Sequence, residues 1–253
     1  MEVIAIIPAR MGSSRFPGKP MQKILGIPMI GHCYKRAKMC KSLSEVYVAT
    51  CDKVIDEYIK SIGGKSIITS KSHERATDRT AEAMIKIEKK TGLKIDIIVM
   101  IQGDEPMITP RMIEDSIKAF KDQNINVVNL MSKINSKKEF YDPNEVKVVC
   151  DKNNYALYFS REPIPSFSKY GKHNFMMKQV CIIPFRRNFL IRFNKMKETQ
   201  LEKIESVDML RILENGIKVK MIETQEETYS VDTKQDLNKV KIKMKADSLL
   251  KKY

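Results

Sequence analysis

No run of the 253-residue sequence is apolar over a length that would span a membrane. The first residues also lack the basic start and apolar stretch of a secretory signal peptide, because Met1 leads almost directly into a strand-like segment. We therefore expect a cytoplasmic protein with no membrane partner. The length is sufficient for one large, well-buried α/β domain.

Cysteine and histidine are few and scattered. The five cysteines form no CxxC pair, and the three histidines share no ligand spacing. This distribution argues against a zinc site and against a disulfide framework. We expect reduced cysteines that pack as small apolar groups.

Acidic residues are in the minority, with 31 Asp and Glu against 46 Lys and Arg, so the formal net charge is +15. Such an excess suits nucleic acid, a membrane surface or small anionic substrates. The lysines are spread along the chain, and no basic stripe is interleaved with aromatic residues, so no nucleic-acid partner is expected. A basic nucleic-acid-binding protein is the alternative from another functional class, and it predicts salt-sensitive binding to any polynucleotide.

Strand-like and helix-like segments alternate through the first half of the chain. The runs VIAIIPA, EVYVAT, KSIIT and IDIIVMI are typical of buried strands, and amphipathic helical segments lie between them. One of these helices, DRTAEAMIKIEKK, is predicted to have Thr77 as its N-cap. The alternation predicts a parallel sheet with helices on both faces and a ligand site beyond the carboxyl ends of the strands.

The pattern changes after about residue 124. EVKVVCD and YALYFS are predicted to pair antiparallel, KQVCIIPF adds a strand, and LEKIESVDMLRILENG is predicted to form one helix. A lysine-rich helix is expected from Thr233. The fold prediction is therefore an α/β, Rossmann-like, mostly parallel sheet flanked by helices, with a small antiparallel excursion. We predict a single domain over residues 1–253, in which the excursion over about 130–200 covers the active site or builds a dimer face.

The loop after the first strand, within IPARMGSSRFPGK, has the composition of a phosphate-binding site. Gly12 and Gly18 allow close backbone approach and positive φ, and successive amides can form an anion-binding nest. Arginine and lysine side chains add fixed positive charge. Five residues separate the two glycines and Pro20 follows the lysine, so the loop is not an ATPase P-loop, and the chain has no GxGxxG. The nucleotide-binding candidates from this segment are Pro8, Ala9, Arg10, Gly12, Ser13, Ser14, Arg15 and Lys19. A solvated basic loop is the alternative.

The segment IPARMGSSRFPGKPM resembles the nucleotide-binding loop of sugar nucleotidyltransferases, and more narrowly of the CMP-Kdo synthetases (3-deoxy-manno-octulosonate cytidylyltransferases). The similarity continues in QGDEPMI, DPNEVKVVCDKNNYALYFSREPIP and VDTKQDL, and so covers almost the whole chain. The resemblance implies a Rossmann-like fold, a homodimer, CTP as donor and Mg²⁺ as cofactor. It also implies transfer of CMP to an acid sugar with release of pyrophosphate, which makes an activated precursor for capsule or lipopolysaccharide.

Two aspartates are the candidate Mg²⁺ ligands, because Mg²⁺ prefers oxygen ligands and often uses only one or two protein carboxylates. Asp104 follows a buried strand and Asp232 precedes the last helix, and the matching aspartates of the resembled family bind Mg²⁺. The alternatives are a turn carboxylate for Asp104 and a helix cap for Asp232. Arg10, Lys19 and Asp104 are the predicted catalytic residues.

The nucleotide half resembles the family more closely than the acceptor half does. In HERATDR, Arg79 matches the family pattern and is a nucleotide-binding candidate, whereas Arg75 replaces a small residue and adds charge near the substrates. Gln102 is expected to face the nucleotide and the acceptor, as its counterpart in the family does.

In the acceptor half, Arg161 is kept and is expected to face an acceptor carboxylate. Ser168 replaces a second basic residue, and Gln179 stands near a sugar-binding histidine of the family. Either Glu202 or Glu205 matches an acidic residue that binds sugar hydroxyls, and Glu205 is taken as the candidate. The predicted acceptor-binding residues are Arg75, Gln102, Arg161, Gln179 and Glu205. The acceptor is predicted to be a small anion, and Kdo, a phosphate monoester and a phosphonate all remain open.

Overall fold

The computed structural model describes residues 1–12, 16–166 and 176–253 of the chain. It divides into two compact units, of which the first comprises residues 1–114 and 228–253 and the second comprises residues 115–227. The predicted excursion over 130–200 lies within the second unit. None of the helices in these described ranges is both long enough and apolar enough to cross a membrane.

The first unit is built on a parallel sheet whose strands are β1 (Val3–Ala9), β4 (Glu45–Thr50), β5 (Lys65–Ile68) and β6 (Ile97–Ile101). Within this unit their order is β6-β1-β4-β5, and each neighbouring pair is parallel. Every residue of β1 and β6 is buried, as expected for strands with both faces covered. The predicted parallel sheet is therefore confirmed.

Helices α1 (Met29–Lys38), α2 (Lys53–Ser61) and α3 (Ala76–Thr91) alternate with these strands and pack against them. A short hairpin of β2 (Lys23–Ile24) and β3 (Ile27–Pro28) precedes α1. The prediction that Thr77 is the N-cap of α3 is wrong. The helix already begins at Ala76, whose carbonyl oxygen accepts a hydrogen bond from the Thr80 hydroxyl, and Arg75 occupies the cap position.

The second unit contains a mixed sheet of β7 (Val128–Lys133), β8 (Lys147–Cys150), β9 (Ala156–Ser160), β10 (Met177–Val180) and β12 (Lys220–Glu223). Their order is β12-β7-β10-β8-β9, in which only β12 and β7 run parallel. β8 and β9 form the predicted antiparallel pair. The segment KQVCIIPF forms two strands, β10 and β11 (Ile182–Arg186), because the chain leaves extended pairing at Cys181.

The helices found among the described residues from 110 to 214 are α4 (Pro110–Lys118), which includes residues of both units, α5 (Lys137–Phe140), α6 (Arg187–Lys195), α7 (Gln200–Glu205) and α8 (Met209–Glu214). The single helix predicted over LEKIESVDMLRILENG is therefore two helices. Ser206 adopts a left-handed conformation with φ of 54°, which ends the first helix. Ile204, in the first of the two helices, is 68% exposed.

The last helix of the first unit, α9 (Lys234–Met244), brings residues 228–253 back to the first 114 residues. Its Leu237, Val240 and Met244 join Phe16 and Met29 in one buried apolar cluster that also contains Ile24 and Val231. Val231 in this cluster precedes Asp232, and Phe16 follows the loop after β1. The cluster therefore holds Asp232 close to that loop.

Candidate active site

Two loops meet at the carboxyl ends of β1 and β6, as the strand order predicts. The strands pair in parallel register, and Gly103 follows the end of β6. A methyl group placed at Gly103 would lie 3.2 Å from the Pro8 carbonyl oxygen and 3.5 Å from the Ala9 Cβ. The absence of a side chain at Gly103 therefore lets the QGDEP loop approach the end of β1 closely.

Three charged side chains converge beside these loops. Lys19 Nζ lies 2.7 Å from Asp104 Oδ2 and 3.3 Å from Asp232 Oδ1. All three side chains are largely buried. The Val231 amide donates a hydrogen bond of 3.0 Å to the Asp104 carbonyl oxygen, and this main-chain contact holds the start of α9 against the QGDEP loop.

Burial would lower the pKa of Lys19, because a charged ammonium loses hydration there. The Asp104 and Asp232 carboxylates outweigh that effect, and the pKa of Lys19 lies above its usual value. The ammonium is therefore charged throughout the neutral range. This arrangement places one positive and two negative charges at the end of the parallel sheet.

The alternative in which Asp232 caps the last helix is wrong. Thr233 is the N-cap of α9, and its hydroxyl accepts a hydrogen bond from the Asp236 amide. The Asp236 carboxylate in turn accepts from the Thr233 amide, which completes a capping box. Asp232 therefore directs its carboxylate to Lys19 instead of to its own helix.

Asp104 and Asp232 fit a divalent cation, because both carboxylates already approach a single positive charge, the Lys19 ammonium. Two carboxylates are a sufficient protein contribution for Mg²⁺ when phosphate oxygens and water complete its shell. Within the ranges that the structure describes, no group of three or more Asp, Glu, His or Cys side chains is arranged to hold a metal ion.

The remaining nucleotide candidates differ in their surroundings. Pro8 and Ala9 are buried in β1, whereas Arg10 and Gly12 are exposed, and Gln102 is half-buried. Ser13, Ser14 and Arg15 lie outside the described residues, as does Ser168 of the acceptor half.

Arg79, a nucleotide candidate, is directed into the protein and is 2% exposed. Its guanidinium donates to the Thr69 hydroxyl and to the carbonyl oxygens of Ser70 and His73, so it holds the loop before α3. Arg75, a candidate for the acceptor, is half-buried at the cap of that helix. Roles for both residues in substrate binding stay predictions.

The second unit brings together two acceptor candidates, Arg161 and Glu205. Glu205 Oε2 accepts a 2.7 Å hydrogen bond from the Arg161 amide, and Arg161 Nε donates to the Glu205 carbonyl oxygen at 2.6 Å. The hydroxyls of Tyr158 and Ser160 also lie within hydrogen-bond distance of Glu205 Oε1. The carboxylate of Glu205 thus accepts hydrogen bonds from several donors at the end of β9.

The two glutamates that the sequence left as alternatives have different environments. Glu202 is fully buried, and both of its carboxylate oxygens accept from the Arg211 guanidinium, at 2.7 and 2.5 Å. That bidentate pair is internal to the second unit. The geometry therefore favours Glu205, which is partly exposed, as the residue of the two that is available to a ligand.

Gln179, the third acceptor candidate of this unit, does not share a contact with Arg161 or Glu205 in the described part of the chain. It lies in β10, and its amide nitrogen donates to Asn129 Oδ1 at 2.6 Å. The buried Asn129 amide donates in turn to the Leu130 and Val180 carbonyl oxygens. The glutamine is thus tied to β7 by a side-chain hydrogen bond.

Sequence reasoning missed Lys147, which is fully buried. Its ammonium donates to the carbonyl oxygens of Asp142 and Glu145 at 2.9 and 2.7 Å, and also to that of Arg161. It therefore holds the main chain of Arg161 in place. The only available signal was a lysine inside an otherwise apolar strand segment, EVKVVCD.

The profile of the cytidylyltransferase family matches residues 4–226. The 3-deoxy-manno-octulosonate cytidylyltransferase of Thermodesulfovibrio yellowstonii is 44% identical over 244 residues, covering 94% of this chain and 96% of that protein. The enzyme of the same name from Trichlorobacter lovleyi is 43% identical over 256 residues, covering 97% and 99%.

The chain belongs to the 3-deoxy-manno-octulosonate cytidylyltransferase family. It is thus a nucleotidyltransferase, as the sequence predicted.

The structure of CMP:2-keto-3-deoxy-manno-octonic acid synthetase complexed with CTP matches this cytidylyltransferase with a TM-score of 0.87 and 38% identity, covering 97% of this chain and 99% of that one. The 4-diphosphocytidyl-2C-methyl-D-erythritol synthase of Anaerococcus prevotii matches with a TM-score of 0.62 at 12% identity, which shows a shared fold alone. The predicted α/β fold is confirmed by both.

Proposed function

We propose that this cytidylyltransferase transfers CMP from CTP to 3-deoxy-manno-octulosonate and releases pyrophosphate. The observation that carries the proposal is the convergence of Lys19, Asp104 and Asp232 at the carboxyl ends of the parallel strands. Relatives that are 44% and 43% identical carry this activity in their names, and a solved relative at 38% identity is described as complexed with CTP. The product would serve as an activated precursor for capsule or lipopolysaccharide.

In the proposed reaction an acceptor hydroxyl releases its proton to solvent, and its oxygen attacks the α-phosphorus of CTP. The bond between the α-phosphorus and the bridging oxygen to the β-phosphate breaks, and pyrophosphate leaves with that oxygen. Negative charge builds up on the leaving group. Lys19 and the exposed Arg10, which flank the loop after β1, would neutralise that charge.

Asp104 and Asp232 are the residues that would hold Mg²⁺, since they already share one cation. Mg²⁺ held there would supply Lewis-acid polarisation of the phosphate oxygens. Lys19 would then turn from the carboxylates toward the phosphates of CTP, because all three groups lie on flexible side chains at one point.

The acceptor is proposed to bind near Arg161 and Glu205. A carboxylate that already accepts from two hydroxyls and an amide, as Glu205 does, suits the hydroxyl-rich surface of a sugar acid.

The homodimer and the cytoplasmic location stay predictions. Light scattering after size-exclusion chromatography tests the homodimer.

The proposal is tested by pyrophosphate release from CTP with a panel of acceptors. The panel contains 3-deoxy-manno-octulosonate, other sugar acids, phosphate monoesters and phosphonates, and UTP and ATP replace CTP as controls. We expect turnover of 3-deoxy-manno-octulosonate with CTP. Turnover of a phosphonate or phosphate monoester alone would identify such an anion as the acceptor, which is the alternative that Arg75 and Gln179 suggested. No turnover with any pair, together with tight, salt-sensitive polynucleotide binding, would favour the nucleic-acid-binding alternative.

A further inference from the structure

The ends of β1 and β4 lie side by side, and each continues into a loop. In the parallel register of these strands Ala9 is opposite Thr50. Two residues farther along each chain are Met11 and Asp52, which the register brings together. The Met11 amide donates a hydrogen bond to Asp52 Oδ2 at 2.7 Å.

Asp52 occupies the N-cap position of α2, where an aspartate carboxylate ordinarily accepts from the first amides of its own helix. Among the described residues its side chain makes no such capping bond. The carboxylate instead accepts from Met11, and the Cys51 thiol lies 3.6 Å from the same oxygen. The Asp52 amide donates to the Thr50 hydroxyl at 3.1 Å, which fixes the turn that presents the carboxylate.

Met11 is held from both sides. Its amide donates to Asp52, and its carbonyl oxygen accepts from the Gly18 amide at 3.0 Å. Gly18 has φ of 70°, a left-handed conformation that glycine adopts without strain, and its amide is thereby placed for this hydrogen bond to Met11. Arg10 is bonded to Met11 in the chain and Lys19 to Gly18, so the Met11–Gly18 hydrogen bond links the main-chain positions of both cations.

The charge of Asp52 opposes the expected ligand, because a carboxylate beside a loop that binds polyphosphate repels it. Asp52 can therefore favour CTP binding only by positioning other groups, and not by its charge. We propose that Asp52 is a positioning residue that orients Arg10 and Lys19 for CTP through its hydrogen bond to the Met11 amide. This inference rests on the proposed function.

Three substitutions at Asp52 separate the hydrogen bond from the charge. Asp52→Asn keeps an oxygen acceptor for Met11 and removes the charge. Asp52→Ala removes both. Asp52→Ser supplies a good helix cap, so it protects folding, but its hydroxyl is one bond shorter than the carboxylate. Glu57→Ala is the matched control, since Glu57 is an exposed carboxylate on the same helix and lies 3.4 Å from the Lys53 ammonium.

We expect kcat/KM for CTP to fall roughly 10- to 100-fold in Asp52→Ala and Asp52→Ser, because small misplacements of binding groups are that costly. Asp52→Asn and Glu57→Ala should stay within about threefold of the unchanged protein, and the KM for 3-deoxy-manno-octulosonate should not change in any variant. Unfolding midpoints are measured alongside, and Asp52→Ser decides the outcome if Asp52→Ala does not fold.

Unchanged kcat/KM for CTP in Asp52→Ala or Asp52→Ser would overturn the inference. Equal losses in Asp52→Asn and Asp52→Ala would also overturn it, because the charge and not the hydrogen bond would then matter. An equal fall in kcat/KM for 3-deoxy-manno-octulosonate would overturn the inference as well. If the unchanged protein turns over no acceptor, the proposed function fails by itself, and calorimetric binding of CTP to the same variants then decides on Asp52 by the same criteria.

Discussion

The Lys19 ammonium nitrogen lies 2.7 Å from Asp104 Oδ2, so the chain supplies its own cation to a carboxylate proposed to bind metal. A divalent ion that binds there must displace this ammonium. The triphosphate of CTP offers the lysine a new set of negative partners, and so favours that displacement. Lys19 is therefore expected to oppose metal binding without nucleotide and to support turnover with it.

Lys19→Met tests both effects, because methionine keeps much of the length of the side chain and removes the charge. We expect Mn²⁺, as a probe for Mg²⁺, to bind the nucleotide-free variant roughly tenfold more tightly, since a competing charge is gone. Turnover should fall on the order of 10²- to 10³-fold, the usual cost of one preorganised electrostatic group. Mn²⁺ binding is measured by electron paramagnetic resonance. Lys23→Met, at the exposed first position of β2, is the control, and weaker Mn²⁺ binding in Lys19→Met would contradict the competition.

Asp104→Asn and Asp232→Asn test the metal assignment directly. Asp104→Asn should abolish Mg²⁺-dependent turnover, and Asp232→Asn should shift its Mg²⁺ titration to higher concentrations, because an amide oxygen is a weaker ligand than a carboxylate. The rate is measured against Mg²⁺ concentration in each variant. A titration of Asp104→Asn that overlays the unchanged protein would reject the assignment, and Asp115→Asn, a surface carboxylate paired with Lys118, serves as control.

Glu202 and Glu205 make a matched pair for the acceptor side. Glu205→Gln should raise the KM for the sugar acid and leave the KM for CTP unchanged, because its carboxylate collects donors near the predicted acceptor site. Glu202→Gln should mainly destabilise, by roughly 3–5 kcal/mol, because it leaves the buried Arg211 without its charged partner. Acceptor kinetics and urea unfolding of both variants measure the two effects. If Glu202→Gln raised the KM for the sugar acid and Glu205→Gln mainly lowered the stability, Glu202 would be the ligand-binding residue instead.

Glu45 gives a prediction for stability against pH. Burial would raise its pKa, but hydrogen bonds from Lys38, at 2.8 Å, and from Lys65 outweigh this and lower the pKa to about 2. Because the folded pKa is depressed, the stabilisation is present above the unfolded pKa of about 4.5 and is lost as the pH falls toward 2. Glu45→Gln should therefore lower the free energy of unfolding by about 1 kcal/mol at pH 7, after allowance for solvent screening. The difference from the unchanged protein should vanish near pH 2; a constant difference across this range would contradict the ion-pair origin.

The strands of the first unit could be predicted closely from the sequence, because buried parallel strands leave unbroken apolar runs. VIAIIPA and EVYVAT match β1 and β4 residue for residue. The predicted ligand site beyond the carboxyl ends of the strands corresponds to the place where the loops after β1 and β6 meet, since the carboxyl ends of parallel strands share one edge. The break at Ser206 did not follow, because the helical spacing of apolar residues continues across it.

Side-chain partners were less predictable than positions. Lys19, Asp104 and Asp232 were each identified from local patterns, but their convergence depends on the return of α9, over 213 residues of sequence. The Asp52–Met11 contact depends on strand register, which composition does not reveal. Arg79 was predicted to bind nucleotide from its motif alone, and nothing in that motif indicated the three loop contacts that its guanidinium makes.

The hydrogen bond between the Val231 amide and the Asp104 carbonyl oxygen has a consequence during synthesis on the ribosome. A nascent chain that has emerged through residue 227 contains Lys19, Asp104 and the whole second unit but still lacks Asp232. The carboxylate pair forms only after the following residues clear the exit tunnel and dock on the first unit. A nascent chain that stops before Asp232 therefore cannot assemble this charge cluster.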